Sequence, residues 1–410
     1  MRAATFTIGF VSSTFAPLPG GTETYLDRLS HTLAAQGHDV RVVPRFVETR
    51  PHPFERLLAT HEPARQYHDD GVQVHVLAPV PERRLLLRPA ARLHFYPTTQ
   101  ASAIGLYKAA FYQPLADALD GCEVIHYSGT GRELIGFVAQ QIAADTNRPF
   151  IVTPHMHVGS WGDSALDLRL YRQADRIIAF TEYEQSAYVE QGIPPNRVHV
   201  CGSGLSVSGT GDGARFRREA DVGNAPLILF LGRKAKYKGY PMLLRAAPHI
   251  WDQHPAAHLV LAGPPDESAS LTDSEKRMAA DPRILEYGFV SDEMREDLYA
   301  ACDLFCLPST DEAFGLVYLE AGSYGKPVVG LDIPTLRELI GQAQSGLLAS
   351  PSAPSVANAV CWLLDNPDER HRMGKNGQAV ARMQTWDHVA STTADLYRRA
   401  SAANPHPVGA

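Results

Sequence analysis

Cysteine is scarce in this sequence, with five in 410 residues and no C-x-x-C pair. Cys122, Cys201, Cys302, Cys306 and Cys361 are scattered and odd in number. Such a set excludes a disulfide framework and reads as reduced thiols of a cytoplasmic protein. Long apolar runs are missing too: none approaches the ~20 residues that span a bilayer. The chain opens Met1-Arg2 and soon turns apolar, but the run at 6–11 is short and Pro17, Gly20 and Gly21 follow it. It reads as a first buried strand, not as a secretion signal. No N-x-[ST] glycosylation acceptor occurs. Positive charge is not in excess either; the net charge of -7 gives no reason to expect a nucleic-acid partner.

Cofactor signatures are also lacking. Strand one leads into Ser12-Ser13-Thr14-Phe15, with no G-x-G-x-x-G. Gly129-Thr130-Gly131-Arg132-Glu133-Leu134 ends in leucine where that fingerprint needs glycine or alanine. No G-x-x-x-x-G-K-[ST] is found, so a P-loop is excluded and a nicotinamide-dependent dehydrogenase is a poor fit.

What is present is an apolar fraction of 44% with 20% charged residues, the make-up of a soluble globular chain. Its length exceeds one ordinary hydrophobic core and predicts two domains. Short apolar runs alternate with helical patterns, the signature of parallel sheets with crossover helices. Strands are expected at 6–11, 40–43, 72–77, 124–127, 150–153, 176–180 and 198–201. A helix is expected at 22–36, where Tyr25, Leu26, Leu29 and Leu33 share a face and Gly37 stops the pattern. Residues 44–70, rich in proline, histidine and charge, read as a long loop or excursion. Residues 81–112 begin basic, with Arg83, Arg84, Arg88 and Arg92, and become helical.

The glycine- and serine-rich stretch 202–223 suits a linker or hinge. Strands then resume at 227–231, 258–262, 284–287, 304–307 and 327–330. The fold class expected is α/β: two Rossmann-like, doubly wound domains facing across a cleft. Ligands of such domains bind beyond the carboxyl ends of the strands. Residues 401–410 read as a disordered tail.

Two segments carry the chemistry. In Ser309-Thr-Asp-Glu-Ala-Phe-Gly-Leu-Val-Tyr-Leu-Glu320, Glu312 falls in a loop after a strand. The amides of Phe314, Gly315 and Leu316 fall at an exposed helix start, which suits a phosphate. Glu320 lies further along that helix, where a carboxylate can accept two sugar hydroxyls. The competing reading is a helix with acids at its start and one solvated glutamate. The second segment is Gly232-Arg233-Lys234-Ala235-Lys236-Tyr237-Lys238-Gly239. Its clustered cations would repel one another without an anion, and a diphosphate supplies one. A solvated basic turn is the alternative.

Together these segments resemble the donor site of retaining family 4 glycosyltransferases, whose two Rossmann-like domains form the GT-B fold. Arg233 and Lys238 stand at that family's Arg-x4-Lys spacing, and Glu312 and Glu320 at its Glu-x7-Glu spacing. Leu307-Pro308-Ser309, Leu319-Glu320-Ala321 and Gly325-Lys326-Pro327-Val328-Val329 fit the same pattern. The resemblance implies that Arg233 and Lys238 grip a donor diphosphate, that Glu312 faces the donor sugar and Glu320 the ribose. It implies that Gly20 and Gly21, in Pro19-Gly20-Gly21-Thr22, close over the diphosphate, and that His155 faces the reacting sugar. Val290 would lie beside the base, and 386–397 would form a last helix crossing back to the first domain. The hinge at 201–204 lacks the family's usual asparagine–glycine–valine, and 44–112 match no part of it.

The implied domains are 1–205 for the acceptor, 206–385 for the nucleotide-sugar donor and 386–400 for the crossing helix. The implied reaction is retaining transfer of a hexose-type sugar from a nucleotide diphosphate sugar, UDP favoured and GDP the alternative. The acceptor would be a hydroxyl of a sugar, glycolipid or small metabolite. No cofactor is implied. His155 and His157 form a His-x-His pair, but no further ligand at convincing spacing completes a metal site, so metal is rejected. Competing readings are a sugar-nucleotide epimerase or glycoside phosphorylase of the same architecture, and a non-catalytic nucleotide-sugar-binding subunit. The arginines at 83–92 leave a peripheral membrane contact open, against a solvated helix face. Oligomeric state does not follow from the sequence.

Overall fold

The computed structural model describes residues 5–266 and 269–403. The chain divides into two compact units, Met1–Gly204 with Trp386–Ala410, and Leu205–Thr385. In the first unit the strands are β1 (Thr7–Thr14), β2 (Asp39–Phe46), β3 (Arg65–Asp69), β4 (Val72–Val76), β5 (Val124–Ser128), β6 (Phe150–Thr153), β7 (Arg176–Ala179) and β8 (Val198–Val200). They lie in the order β3-β4-β2-β1-β5-β6-β7-β8. All neighbours are parallel except β3 with β4. The central strands are buried on both faces, which explains their nearly continuous apolar sequences.

The expected loop at 44–70 is a correction. It contains α2 (Phe54–Ala59), the second helix after α1 (Gly21–Ala35), and then the antiparallel edge strand β3. Sequence RQYHD has the charged, polar character of an exposed sheet edge, so its strand nature is masked. The basic stretch beyond it forms a 3-10 turn at Pro81–Leu86, α3 (Leu87–Leu93) and the long α4 (Gln100–Ala118).

The helix Trp386–Ala403 belongs to the first unit and packs on α1. Gly204 allows this seating, because a Cβ there would lie 2.5 Å from the Trp386 ring. Deeper in, the Tyr397 hydroxyl and His126 Nδ1 are 2.6 Å apart, and His126 Nε2 lies 2.8 Å from Thr153 Oγ1. Burial drives the His126 pKa down to about 3, so the ring is neutral there. The helix reaches Ala403, three residues into the expected tail; 404–410 lie outside the described residues.

In the second unit β9 (Leu227–Leu231), β10 (His258–Ala262), β11 (Ile284–Tyr287), β12 (Leu304–Cys306), β13 (Val328–Leu331) and β14 (Gly346–Ala349) form one sheet. Its order is β11-β10-β9-β12-β13-β14, all parallel. The order reverses between β9 and β12, and ligands of doubly wound sheets bind beside that switch point. β14 is an edge strand of four residues that the sequence reading did not mark.

The segment 202–223 is not a free linker. It contains the helix Gly213–Glu219, capped by Asp212. Before it, Glu296 accepts hydrogen bonds from Ser208 N at 2.8 Å, Thr210 N at 3.1 Å and Tyr324 Oη at 2.8 Å. Asp297 accepts from Asp212 N at 2.6 Å. A Cβ on Gly211 would lie 2.1 Å from the Glu296 carbonyl oxygen. Glycine at 211 therefore serves close packing, where its composition suggested freedom. Each unit has its own apolar core. Among the described residues no helix is long and apolar enough to cross a membrane.

Candidate active site

The loops after β9 and β12 bring the two chemistry-bearing segments of the second unit together. Gly239, at φ 79°, makes the approach feasible: a Cβ there would lie 2.1 Å from Pro308 O. Thr310 N then donates to Tyr237 O at 2.8 Å. Lys238 Nζ lies 2.7 Å from Glu312 Oε2, although 74 residues separate them. Glu312 is 8% exposed, and its other carboxylate oxygen, Oε1, is buried without a hydrogen-bond partner among the described residues. A buried acceptor of this kind asks for a donor that the described residues do not supply.

The cations of 233–238 are dispersed among carboxylates, which corrects the expectation that they would need an anion from outside. Arg233 is exposed, 3.5 Å from Asp266. Lys234 turns inward to Glu286 at 3.2 Å, and Tyr240 Oη donates to the same carboxylate. Lys236 is exposed, and Lys238 is committed to Glu312. Arg233 and Lys238 thus have separate acidic partners.

The helix Leu316–Ser323 starts two residues later than expected, with Gly315 as its N-cap at φ 86°. Phe314 and Gly315 are buried and Leu316 is half-buried, so the helix start is less open than the sequence suggested. Its first-turn amides still lack acceptors within the helix, as at every helix start. Glu320 lies on its buried face, accepts from Tyr299 Oη at 2.8 Å and has its pKa raised by burial. Val290 is half-buried beside the N-cap Ser291, while Phe289 before it is 81% exposed.

The remaining candidates lie in the first unit. Gly20 caps α1, and Gly21 begins it with open space about its Cα. The first turn of α1 also holds Glu23, fully buried, which pairs with Arg50 and accepts from Thr14 Oγ1 at 2.5 Å. A Cβ on Gly20 would lie 2.3 Å from Glu23 Oε2. The amide-rich turn is thus already beside a carboxylate, a feature not foreseen from glycine spacing.

His155 follows β6 in a left-handed backbone conformation, φ 54°, uncommon for a residue with a side chain. Its Nε2 lies 2.8 Å from Ser128 Oγ. Tyr25 and Phe180 pack on the ring, each with centroids 5.3 Å away. Burial lowers its pKa to about 3, with His157 a smaller contributor. The ring is therefore neutral, able to hydrogen-bond without carrying charge. Tyr25, Ser128, Glu23 and Tyr299 were missed in sequence because their partners lie on distant elements.

Asp27, His31 and Asp69 cluster with side-chain ligand atoms within 4.8 Å. Carbonyl oxygens face both ring nitrogens, Asp27 O at 2.8 Å and Asp69 O at 3.2 Å.

Two family models match the chain. The glycosyl transferase 4-like domain covers residues 20–204, and glycosyl transferases group 1 covers 214–380. D-inositol 3-phosphate glycosyltransferase 2 of Catenulispora acidiphila is 32% identical over 240 residues, 55% of this chain and 56% of that protein. The match therefore spans a little over half of that relative's length. The D-inositol 3-phosphate glycosyltransferase of Acidothermus cellulolyticus is 27% identical over 411 residues, 93% of this chain and 86% of the other. Among solved structures, HepE of Anabaena in complex with UDP and glucose superposes with a TM-score of 0.72 at 21% identity. That superposition covers 96% of this chain and 100% of HepE, and it shows the shared fold. The chain belongs to family 4 of the glycosyltransferases, with the two Rossmann-like domains of the GT-B fold.

Proposed function

We propose that the protein transfers a hexose-type sugar from a nucleotide diphosphate sugar to an acceptor hydroxyl, with retention of anomeric configuration. The observation that carries this reading is the Lys238–Glu312 pair at the sheet switch point, with the buried Glu312 Oε1 unpartnered. A sugar hydroxyl is the donor that oxygen requires. Arg233 and Lys238 neutralise the departing diphosphate, aided by the helix-start amides at Phe314, Gly315 and Leu316. Glu320 holds the ribose and Val290 lies beside the base. In the first unit, the amide-rich turn at Gly20 and Gly21 suits a phosphate, and neutral His155 can hydrogen-bond a sugar hydroxyl.

The acceptor oxygen bonds to the anomeric carbon as the bond to diphosphate breaks on the same face. The acceptor proton passes to a diphosphate oxygen. Positioning and charge stabilisation carry the rate, and no nucleophilic side chain is required. In this scheme arginine and lysine fill the electrostatic role, so neither metal nor cofactor takes part. Residues 1–205 would bind the acceptor and 206–385 the donor. UDP is favoured over GDP because the HepE fold relative is described with UDP and glucose. A cyclitol phosphate is the first acceptor to try, since relatives are named for inositol 3-phosphate. Five free, buried thiols support a reducing, cytoplasmic setting.

The test is incubation with UDP- and GDP-hexoses and a panel of cyclitol phosphates, sugars and glycolipids. Nucleotide release is followed, and the anomeric configuration of product is read by NMR. Acceptor-dependent release with retention is expected. Donor conversion without acceptor would favour an epimerase, cleavage dependent on phosphate a phosphorylase, and binding without turnover a non-catalytic subunit.

A further inference from the structure

The chain carries a net charge of -7, yet one face of the first unit is basic and apolar at once. It is built from α2, the Pro81–Leu86 turn and α3. Arg56, Arg84, Arg88 and Arg92 are all exposed there, and none of their guanidinium groups has an ion pair or hydrogen bond among the described residues. Elsewhere in the same unit Arg50 pairs with Glu23, and Arg65 with Glu48 and Glu62. Four unpaired guanidinium groups within so small a region are therefore not the unit's general habit.

Large apolar side chains stand among them. Leu85 is 78% exposed, Tyr96 65% and Phe95 44%. Between α2 and α3 a cavity of about 470 Å³ is lined by Arg56, Arg88, Arg92, Phe95 and Tyr96, with Glu55 its single acid. Unpaired cations alone would suit any polyanion, and exposed aromatics alone any apolar partner. Their mixture on short helices, with arginine heads around a concavity and leucine and tyrosine projecting beside it, suits a headgroup layer above an acyl region.

We propose that this face docks the protein on a membrane surface containing anionic lipid. A lipid phosphate would enter the Arg56–Arg88–Arg92 cavity while Leu85 and Tyr96 insert at the headgroup boundary. This goes beyond glycosyl transfer and does not depend on it.

The experiment is flotation of the full chain with vesicles of phosphatidylcholine alone, or of equimolar phosphatidylcholine and phosphatidylglycerol. Flotation with the anionic vesicles only is expected, and it should weaken as salt is raised. Arg88→Ala combined with Arg92→Ala should lower partitioning by roughly 30-fold. Leu85→Ser combined with Tyr96→Ser should lower it by roughly 10-fold. These side chains are exposed, so melting temperatures should match the parent. Equal binding to both vesicle types, no binding to either, or full binding by both double variants would overturn the proposal. Inorganic phosphate protected by the arginine cavity without any vesicle binding would overturn the lipid assignment too. Donor binding, measured separately, stays intact in every case, so failure here leaves the glycosyltransferase reading untouched.

Discussion

Lys238 and Glu312 meet at 2.7 Å where the sheet order of the second unit reverses. One carboxylate oxygen is spent on the lysine and the other is buried without a partner. The pair is consequently both a structural tie between two loops and an incomplete binding arrangement. Entry of a diphosphate would give Lys238 a second anion, and a sugar hydroxyl would complete Glu312.

Lys238→Ala should therefore lower turnover by roughly 10²–10³-fold, the scale of losing one preorganised charge-stabilising donor. The melting temperature should move by no more than about 5 °C. Steady-state rates and thermal melts of the same preparation check this. Unaltered turnover would contradict the role given to Lys238.

Gly239→Ala should damage the same site through the backbone. The residue sits at φ 79°, and the added Cβ would lie 2.1 Å from Pro308 O. A destabilisation of about 1–3 kcal/mol in urea unfolding is expected. Donor affinity should fall with it, since the post-β9 and post-β12 loops can no longer meet. Wild-type stability in the variant would contradict the close approach.

His126 and His155 predict acid sensitivity. Both are held neutral by burial, with folded pKa values of about 3 against 6.5 for a free imidazole. Below pH 6.5 the unfolded chain binds protons that the folded chain refuses. Their contribution is thus fully present above that pH and is lost as pH falls from 6.5 toward 3. Each should contribute a slope of about 1.4 kcal/mol per pH unit. In denaturation series across this window, His126→Gln should show the smaller slope. An unchanged slope would contradict the neutral, buried assignment.

Glu296 should behave with the usual carboxylate sign. Hydrogen bonds from Ser208, Tyr324 and Thr210 hold its pKa down to about 2 despite the opposing desolvation. Its stabilisation is present above pH 4.5 and is lost as pH falls through about 2. Glu296→Ala leaves several donors without their acceptor and should cost about 1–3 kcal/mol. Hydrogen exchange at 206–212 should speed up first. Unchanged protection there would contradict the view that Glu296 pins this segment.

Sequence alone revealed those parts of the fold that are locally written. The runs at 150–153, 227–231 and 258–262 coincide with β6, β9 and β10, because parallel strands covered on both faces are apolar along their length; 284–287 coincides with the edge strand β11. β3 escaped because an edge strand needs only alternate burial, and RQYHD is polar throughout. The glycines of 202–223 suggested freedom because nothing local announces that Gly211 packs against Glu296. The site divides in the same way. The family resemblance marked Lys238 and Glu312 as candidates, and the structure joins them. The carboxylates that balance Arg233 and Lys234, Asp266 and Glu286, come from the loop after β10 and from β11, and no short-range pattern links them to the basic loop. The surroundings of His155 are likewise assembled from α1, β5 and the end of β7.

A nucleotide-sugar donor site that works without metal is put to the test by a thermal-shift panel of UDP, GDP, ADP, dTDP and their sugar conjugates, with and without EDTA. A ligand that binds only the folded chain raises its melting temperature according to occupancy. One nucleotide series, UDP first, is expected to stabilise the protein equally in EDTA, and Lys238→Ala to abolish the shift. No shift with any nucleotide, or a shift that vanishes with EDTA, would contradict it.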